Sequence, residues 1–222
     1  MFGVLWSIKG DLDFFAKALA LRHYGANKPC DWCPCDKDKD KLWWPNNFLA
    51  SALWQTSLTT AEEWRLANPH PHWLFQIPFL SNLNVEPDEL HVLYLGTHMY
   101  LIGSVLRLLV YRNMPNDPPT NMGLVWDMIT SFYSDNDVPT QFSKLSLSSF
   151  HDPQKPKGDY PRLKGKGAEI KCMLHAITFV WTHFQRGNAI DNKILNTLTA
   201  AGTLQGLIDE YSKDLFFPYW YI

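Results

Sequence analysis

The segment from Pro87 to about Arg112 has the length and the mostly apolar composition of a helix that is largely buried. Pro87 suits the start of a helix, and Asp88 follows in the first turn, where the helix dipole favours an acid. His91 lies three residues further on, so it shares a face of the predicted helix with Asp88. A buried carboxylate needs a partner or a metal ion. The pair therefore indicates either a helix start beside a hydrogen-bonded core histidine, or a support for a chemical site.

Helical periodicity also dominates the rest of the chain. Helices are predicted from Asp11 to Leu21, from a cap at Thr59 or Thr60 to Leu66, from Met122 to Tyr133, from Ile170 to Phe184 with apolar spacings of 4, 3, 4 and 3, and from Ile190 to Tyr211. A short apolar run, Phe2 to Ile8, predicts a buried strand. The sequence therefore predicts an α+β fold that is predominantly helical.

Composition limits the class of protein. Of the 222 residues, 46% are hydrophobic and 14% are aromatic, which is enough apolar surface for a sizeable core. The net charge of -2 gives no general attraction to nucleic acid, so any such contact needs a local basic patch. The N-terminus lacks the pattern of a secretory signal. His98 and Arg107 interrupt the apolar stretch from Leu93 to Val110, which falls short of the roughly 20 residues of a membrane span. We expect an intracellular protein without a membrane segment.

Three of the four cysteines lie close together, at Cys30, Cys33 and Cys35. The C-x-x-C spacing lets two thiolates bind one Zn²⁺, and Cys35 could supply a third ligand. His23, His70 and His72 are candidates for a further ligand. Reduced cysteines in a loop are the alternative.

Two acids stand at positions that suit chemistry. Asp11 comes directly after the predicted strand, where α/β sheets place catalytic and metal-binding groups. Spacing alone favours the alternative, that Asp11 caps the following helix. Glu169 opens a helix after a basic, glycine-rich linker that could contact phosphates. The basic residues of this stretch are Lys157, Arg162, Lys164, Lys166 and Lys171. The alternative is a solvated linker followed by an ordinary N-terminal glutamate.

The order of these motifs resembles the transposases of Plavaka-like cut-and-paste DNA elements, over most of residues 8 to 175. The matching residues are Gly10-Asp11, Cys30 and Cys33, Asp88-x-x-His91 with Leu95-Gly96, and Ala168-Glu169. The resemblance implies an RNase H-like core that is split by an all-α insertion. Residues 1–29 would be part of that core, 30–149 the cysteine knuckle and helical insertion, and 150–222 the basic linker and the helices that return to the core.

The resemblance also implies roles for these residues. Asp11 would be the second acid and Glu169 the third acid of an Asp-Asp-Glu set that binds Mg²⁺ or Mn²⁺ for DNA cleavage and strand transfer, with Asp88 and His91 in support. The family's first acid has no counterpart here, and Met1 leads directly into an apolar run while the chain ends in FFPYWYI. We therefore expect a transposon-derived fragment that is nuclear, binds DNA, and is inactive without an upstream segment or a second copy.

A different function fits the same residues. A zinc-stabilised helical module could bind nucleic acid or protein through the cysteine cluster and the basic linker, with no catalytic role for Asp11 or Glu169.

Overall fold

The computed structural model of the chain describes residues 7–38, 44, 51–53, 57–69, 71–151 and 160–214. Its backbone contacts divide it into two compact units, Met1–Glu89 (the N-terminal unit) and Leu90–Ile222 (the C-terminal unit). Across the described ranges the fold is α+β and predominantly helical, with two short strands. The predicted fold class is confirmed at this level.

The strands of the N-terminal unit are β1, Ile8–Gly10, and β2, Val85–Pro87. They pair in parallel, with Ile8 opposite Val85 and Gly10 opposite Pro87. The predicted strand from Phe2 to Ile8 lies outside the described residues except at its end. The strand β2 ends at Pro87, the residue predicted to begin the long helix, and the helix begins later, at Leu90.

Two helices complete this unit, together with short 3-10 turns at Trp73–Gln76 and Asn82–Asn84. Helix α1, Leu12–Ala18, begins at Asp11, and helix α2, Ala61–Ala67, begins at Thr60, whose side chain forms a capping box with Glu63. The capping box resolves the choice between Thr59 and Thr60. The core of the unit consists of Phe15, Leu19, Leu21, Trp64, Phe75, Leu80 and Val85.

The C-terminal unit contains four long helices: α3, Leu90–Asn113; α4, Pro118–Asp135; α5, Gly167–Phe184; and α6, Ala189–Asp214. Helix α3 begins and ends in π-helical turns and is kinked at Gly96. Helix α4 starts four residues before its predicted start because Asp117 caps it and Pro118 occupies its first turn.

Helix α5 forms the centre of this unit, in contact with α3, α4 and α6. Its residues Ile170, Leu174, Ile177 and Trp181 are fully buried. Four residues at the predicted helical spacings thus form the inner stripe of the core.

By length and composition alone, α3 could cross a membrane, with a mean hydropathy of 1.4 over its most apolar 18 residues. The central residues of an ordinary core helix meet the same criteria. In this structure 39% of that window is buried, including Ile102, Leu106 and Leu109.

Candidate metal centre and acidic sheet edge

The three clustered cysteines come together in the N-terminal unit. The Sγ atoms of Cys30, Cys33 and Cys35 all lie within 4.8 Å of one another, and Cys35 is only 4% exposed. Three convergent sulfurs are a donor set suited to a soft or borderline metal ion such as Zn²⁺. The cysteine cluster predicted from spacing could therefore hold a metal ion.

Trp32 ties the cysteine loop to the sheet. Its backbone N–H donates to Cys30 Sγ at 3.3 Å, and its indole Nε1 donates to the carbonyl oxygen of Val85 at 3.0 Å. Val85 opens β2, so the position of Cys30 is coupled to the strand pair.

Asp31 connects the same loop to α2 and to the segment that follows α1. This 5% exposed carboxylate accepts from the backbone N–H of Arg22, just beyond α1, at 3.0 Å and from Trp64 Nε1 of α2 at 3.3 Å. Asn82 donates to the Asp31 carbonyl at 2.7 Å. The loop is therefore hydrogen-bonded to β2, to α2 and to the segment that follows α1.

The three thiols differ in acidity. A hydrogen bond from the Cys30 thiol lowers the pKa of Cys33, while the same interaction and burial raise the pKa of Cys30. Burial raises the pKa of Cys35. Cys33 also lines an open groove of about 460 Å³ beside Arg22 and Lys28. It is thus the most acidic of the three and faces the groove.

Among the residues that the structure describes, no fourth metal-ligating side chain joins the three sulfurs. His23 Nε2 lies 4.0 Å from Asp13 Oδ1, and His72 Nδ1 accepts from the backbone N–H of Leu74. His70, the other candidate, lies outside the described residues. A tetrahedral zinc would complete its shell with a water molecule or with a group not yet identified.

A second candidate site lies at the end of the parallel strand pair. Asp11 follows β1 and Asp88 follows β2, and the backbone N–H of Asp88 donates to the carbonyl oxygen of Gly10 at 2.9 Å. The chain thus places both acids at the carboxyl edge of one sheet, where open α/β folds bind ligands. Asp11 also caps α1, because its Oδ1 accepts from the backbone N–H of Phe14 at 2.5 Å.

The other predicted site residues belong to the C-terminal unit. Glu169 Oε2 accepts from the backbone N–H of Lys166 at 2.7 Å and so caps α5. His91 is exposed in the first turn of α3, whereas Asp88 precedes that helix. The expectation that Asp88 occupies the first helical turn is therefore wrong, because the chain up to Pro87 is held in β2.

The predicted DNA-binding residues fall into two groups. Arg162, Lys164 and Lys166 are exposed, whereas Lys171 pairs with Asp209 and lies 5.4 Å from the centre of the Tyr94 ring. Lys157 lies outside the described residues.

Sequence reasoning missed β2 and the anchoring role of Asp31. The only sequence signal for Asp31 is its place between two cysteines, which does not reveal a buried carboxylate. Comparisons with protein-family models, curated proteins and solved structures give no match for this chain, so none of them links it to a transposase.

Proposed function

We propose that this chain is a transposon-derived protein of the transposase class, with an RNase H-like core that binds a divalent cation. The observation that carries the proposal is the parallel pairing of β1 with β2, which brings Asp11 and Asp88 to one sheet edge. Carboxylates at such an edge suit hard cations. The order of Asp11, the cysteine pair, Asp88-x-x-His91 and Glu169 along the chain adds support.

Asp11 and Glu169 are the residues that would hold Mg²⁺ or Mn²⁺. When bound, such ions activate a water or hydroxyl nucleophile and stabilise the leaving oxygen of a phosphodiester. Since the family's first acid has no counterpart in these 222 residues, we expect metal binding but no turnover from this chain alone. DNA as the partner and a nuclear location follow from the same proposal.

The cysteine cluster has a structural role in this proposal. Cys30, Cys33 and Cys35 lie in the loop that is hydrogen-bonded to α2, to β2 and to Arg22, so a zinc ion there would stabilise the N-terminal unit.

Manganese binding tests the proposed roles of the two acids. Asp11→Asn and Glu169→Gln remove a charge but keep good capping residues, so the helices should persist. We expect each variant to weaken Mn²⁺ binding by about tenfold or more, because each removes a charged ligand. Titration of Mn²⁺, followed by the electron paramagnetic resonance of the free ion, measures this directly.

The matched control is Asp127→Asn, which neutralises an exposed acid of α4. It should leave Mn²⁺ affinity unchanged. If Asp11→Asn and Glu169→Gln behave like this control, neither carboxylate is a metal ligand and the transposase proposal fails.

The second candidate is a zinc-stabilised binding module without phosphodiester chemistry. It is favoured by the observation that Asp11 and Glu169 both cap their own helices, a role that needs no metal. This candidate predicts bound zinc together with no specific Mn²⁺ binding. The same titration therefore separates the two functions.

A further inference from the structure

From Tyr160 to Lys164 the chain alternates between exposed and buried side chains, and Lys166 is exposed after a bend at Gly165. Tyr160 is 87% exposed, and Arg162, Lys164 and Lys166 are exposed as well, whereas Pro161 and Leu163 between them are buried. Alternation of this kind is the pattern of an extended chain with one face on the protein and the other in water. We call the four exposed residues Tyr160, Arg162, Lys164 and Lys166 the basic ladder.

The backbone of the basic ladder is fixed by hydrogen bonds on both of its sides. The N–H of Arg162 donates to the Phe150 carbonyl at 3.0 Å, and that of Lys164 to the Ser149 carbonyl at 2.8 Å. Between them, the N–H of Leu163 donates to the Met99 carbonyl of α3 at 2.9 Å. A backbone ordered in advance loses little conformational entropy when a ligand binds.

Gly103 of α3 allows this close approach. A Cβ at that position would lie 2.8 Å from the backbone nitrogens of Arg162 and Leu163. The segment therefore rests directly on the helix backbone, and its charged side chains project away from a rigid base.

The three charged residues of the basic ladder, Arg162, Lys164 and Lys166, are all positive. Lys164 Nζ donates to the Ser148 carbonyl at 3.3 Å, and this neutral acceptor does not cancel the positive charge of the lysine. Glu169 is the acid next along the chain, and one of its oxygens accepts from the Lys166 backbone. Arg162 and Lys164 are two residues apart in the extended part of the segment, which separates their Cα atoms by about 6.6 Å. This separation is comparable to that of successive phosphates in an extended nucleic-acid strand.

We propose that the basic ladder binds a single nucleic-acid strand, with phosphates on Arg162, Lys164 and Lys166 and a base stacked on Tyr160. A basic track beside an exposed aromatic ring is how single strands are bound without sequence readout. A duplex offers phosphates but keeps its bases stacked inside, so the Tyr160 ring favours a single strand. This inference deepens the proposed function, since it names the state of the nucleic acid that the chain would engage.

Fluorescence anisotropy with a labelled oligothymidine of about 12 nucleotides tests the proposal. Tyr160→Ala should weaken binding about fivefold or more, whereas Tyr211→Ala, at another exposed tyrosine of the same unit, should not. Lys166→Gln should reduce the salt dependence, the slope of log K against log salt, by about 0.7, as expected for one lost phosphate contact. Lys193→Gln, at an exposed lysine of α6, is its control and should not change the slope.

An oligouridine of the same length should bind similarly, because no contact to the sugar is invoked, and a hairpin duplex should bind more weakly. If the duplex binds as tightly as the single strand, or if Tyr160→Ala matches Tyr211→Ala, the proposal is overturned. The assay uses no added divalent cation, so Asp11→Asn should not affect it. A negative result for nucleic-acid binding by the basic ladder is thus distinguishable from a negative result for metal binding by Asp11.

Discussion

At the scale of single residues, His98 shows how burial alone can make stability depend on pH. It is 2% exposed, packs edge-on against the Tyr94 ring, and its Nδ1 has no hydrogen-bond partner among the described residues. Burial lowers the pKa of His98 in the folded protein. The neutral form is therefore the one that the fold accommodates.

The sign of the pH effect follows from that direction. The unfolded chain binds the proton with a pKa near 6.5, above the folded value, so stability is full above about pH 6.5 and falls as the pH drops. The loss approaches about 1.4 kcal/mol per pH unit while folded His98 stays neutral. The measurement is urea unfolding at pH values from about 7.5 down to about 4.5. We expect the unfolding free energy of His98→Gln to decline less steeply with falling pH than that of the natural protein.

His183→Gln is the matched control, because His183 is exposed near the end of α5. Its unfolding free energy should follow the natural pH dependence. Identical pH profiles for the two variants would contradict the assignment to His98.

Asp11 and Glu169 show which site properties the sequence could and could not predict. Asp11 and Glu169 could be singled out because acids beside a strand end and a helix start are suited both to capping and to metal binding. The structure shows that both residues cap. A carboxylate has two oxygens and accepts several hydrogen bonds, so capping does not decide whether it also binds a metal.

At the scale of elements, the kink in α3 depends on Gly96. A Cβ at this position would lie 2.6 Å from the carbonyl oxygen of His91, a distance that requires the backbone to shift. We expect Gly96→Ala to lower the unfolding free energy by about 1–3 kcal/mol. Chemical denaturation of the purified variant measures the change.

Gly123 of α4 provides a control with the opposite expected sign. A Cβ there meets nothing within 4 Å, so Gly123→Ala should stabilise the protein by about 0.5–1 kcal/mol. Equal effects of the two alanine substitutions would show that helix propensity, and not the close approach to His91, governs both sites.

The long helices were predictable because their apolar residues recur at helical spacing over three or more turns. The strand β2 was not, since Val85–Pro87 has only three residues and ends in proline, which suits a helix start equally well. Its partner β1 lies more than seventy residues earlier, and such pairing leaves no local sequence pattern.

At the scale of the whole molecule, the N-terminal unit should depend on bound zinc. Purified protein should contain about one zinc ion per chain by elemental analysis, and a chelator should lower its melting temperature. Cys33→Ser should lose the metal because it removes the most acidic thiol of the three.

Cys172→Ser is the control, since Cys172 lies in α5, outside the cysteine cluster. It should retain the zinc of the natural protein. Protein without zinc, or equal zinc in the two serine variants, would leave the cysteines as reduced thiols.

The cysteine cluster was predictable because C-x-x-C spacing brings two sulfurs together almost regardless of the rest of the fold. Its attachment to α2 and β2 through Asp31 and Trp32 was not, because those hydrogen bonds join residues as far as 53 positions apart. The exposed alternation of the basic ladder likewise depends on α3, which covers its other face.

The proposed function requires that Asp11 and Glu169 bind a divalent cation. A crystal structure of the protein grown with Mn²⁺, with anomalous scattering to identify the metal, tests it most directly. We predict a manganese ion bound by both carboxylates at about 2.1 Å, the distance typical of small divalent cations. Manganese absent from Asp11 and Glu169, with both acids only capping their helices, would contradict the claim.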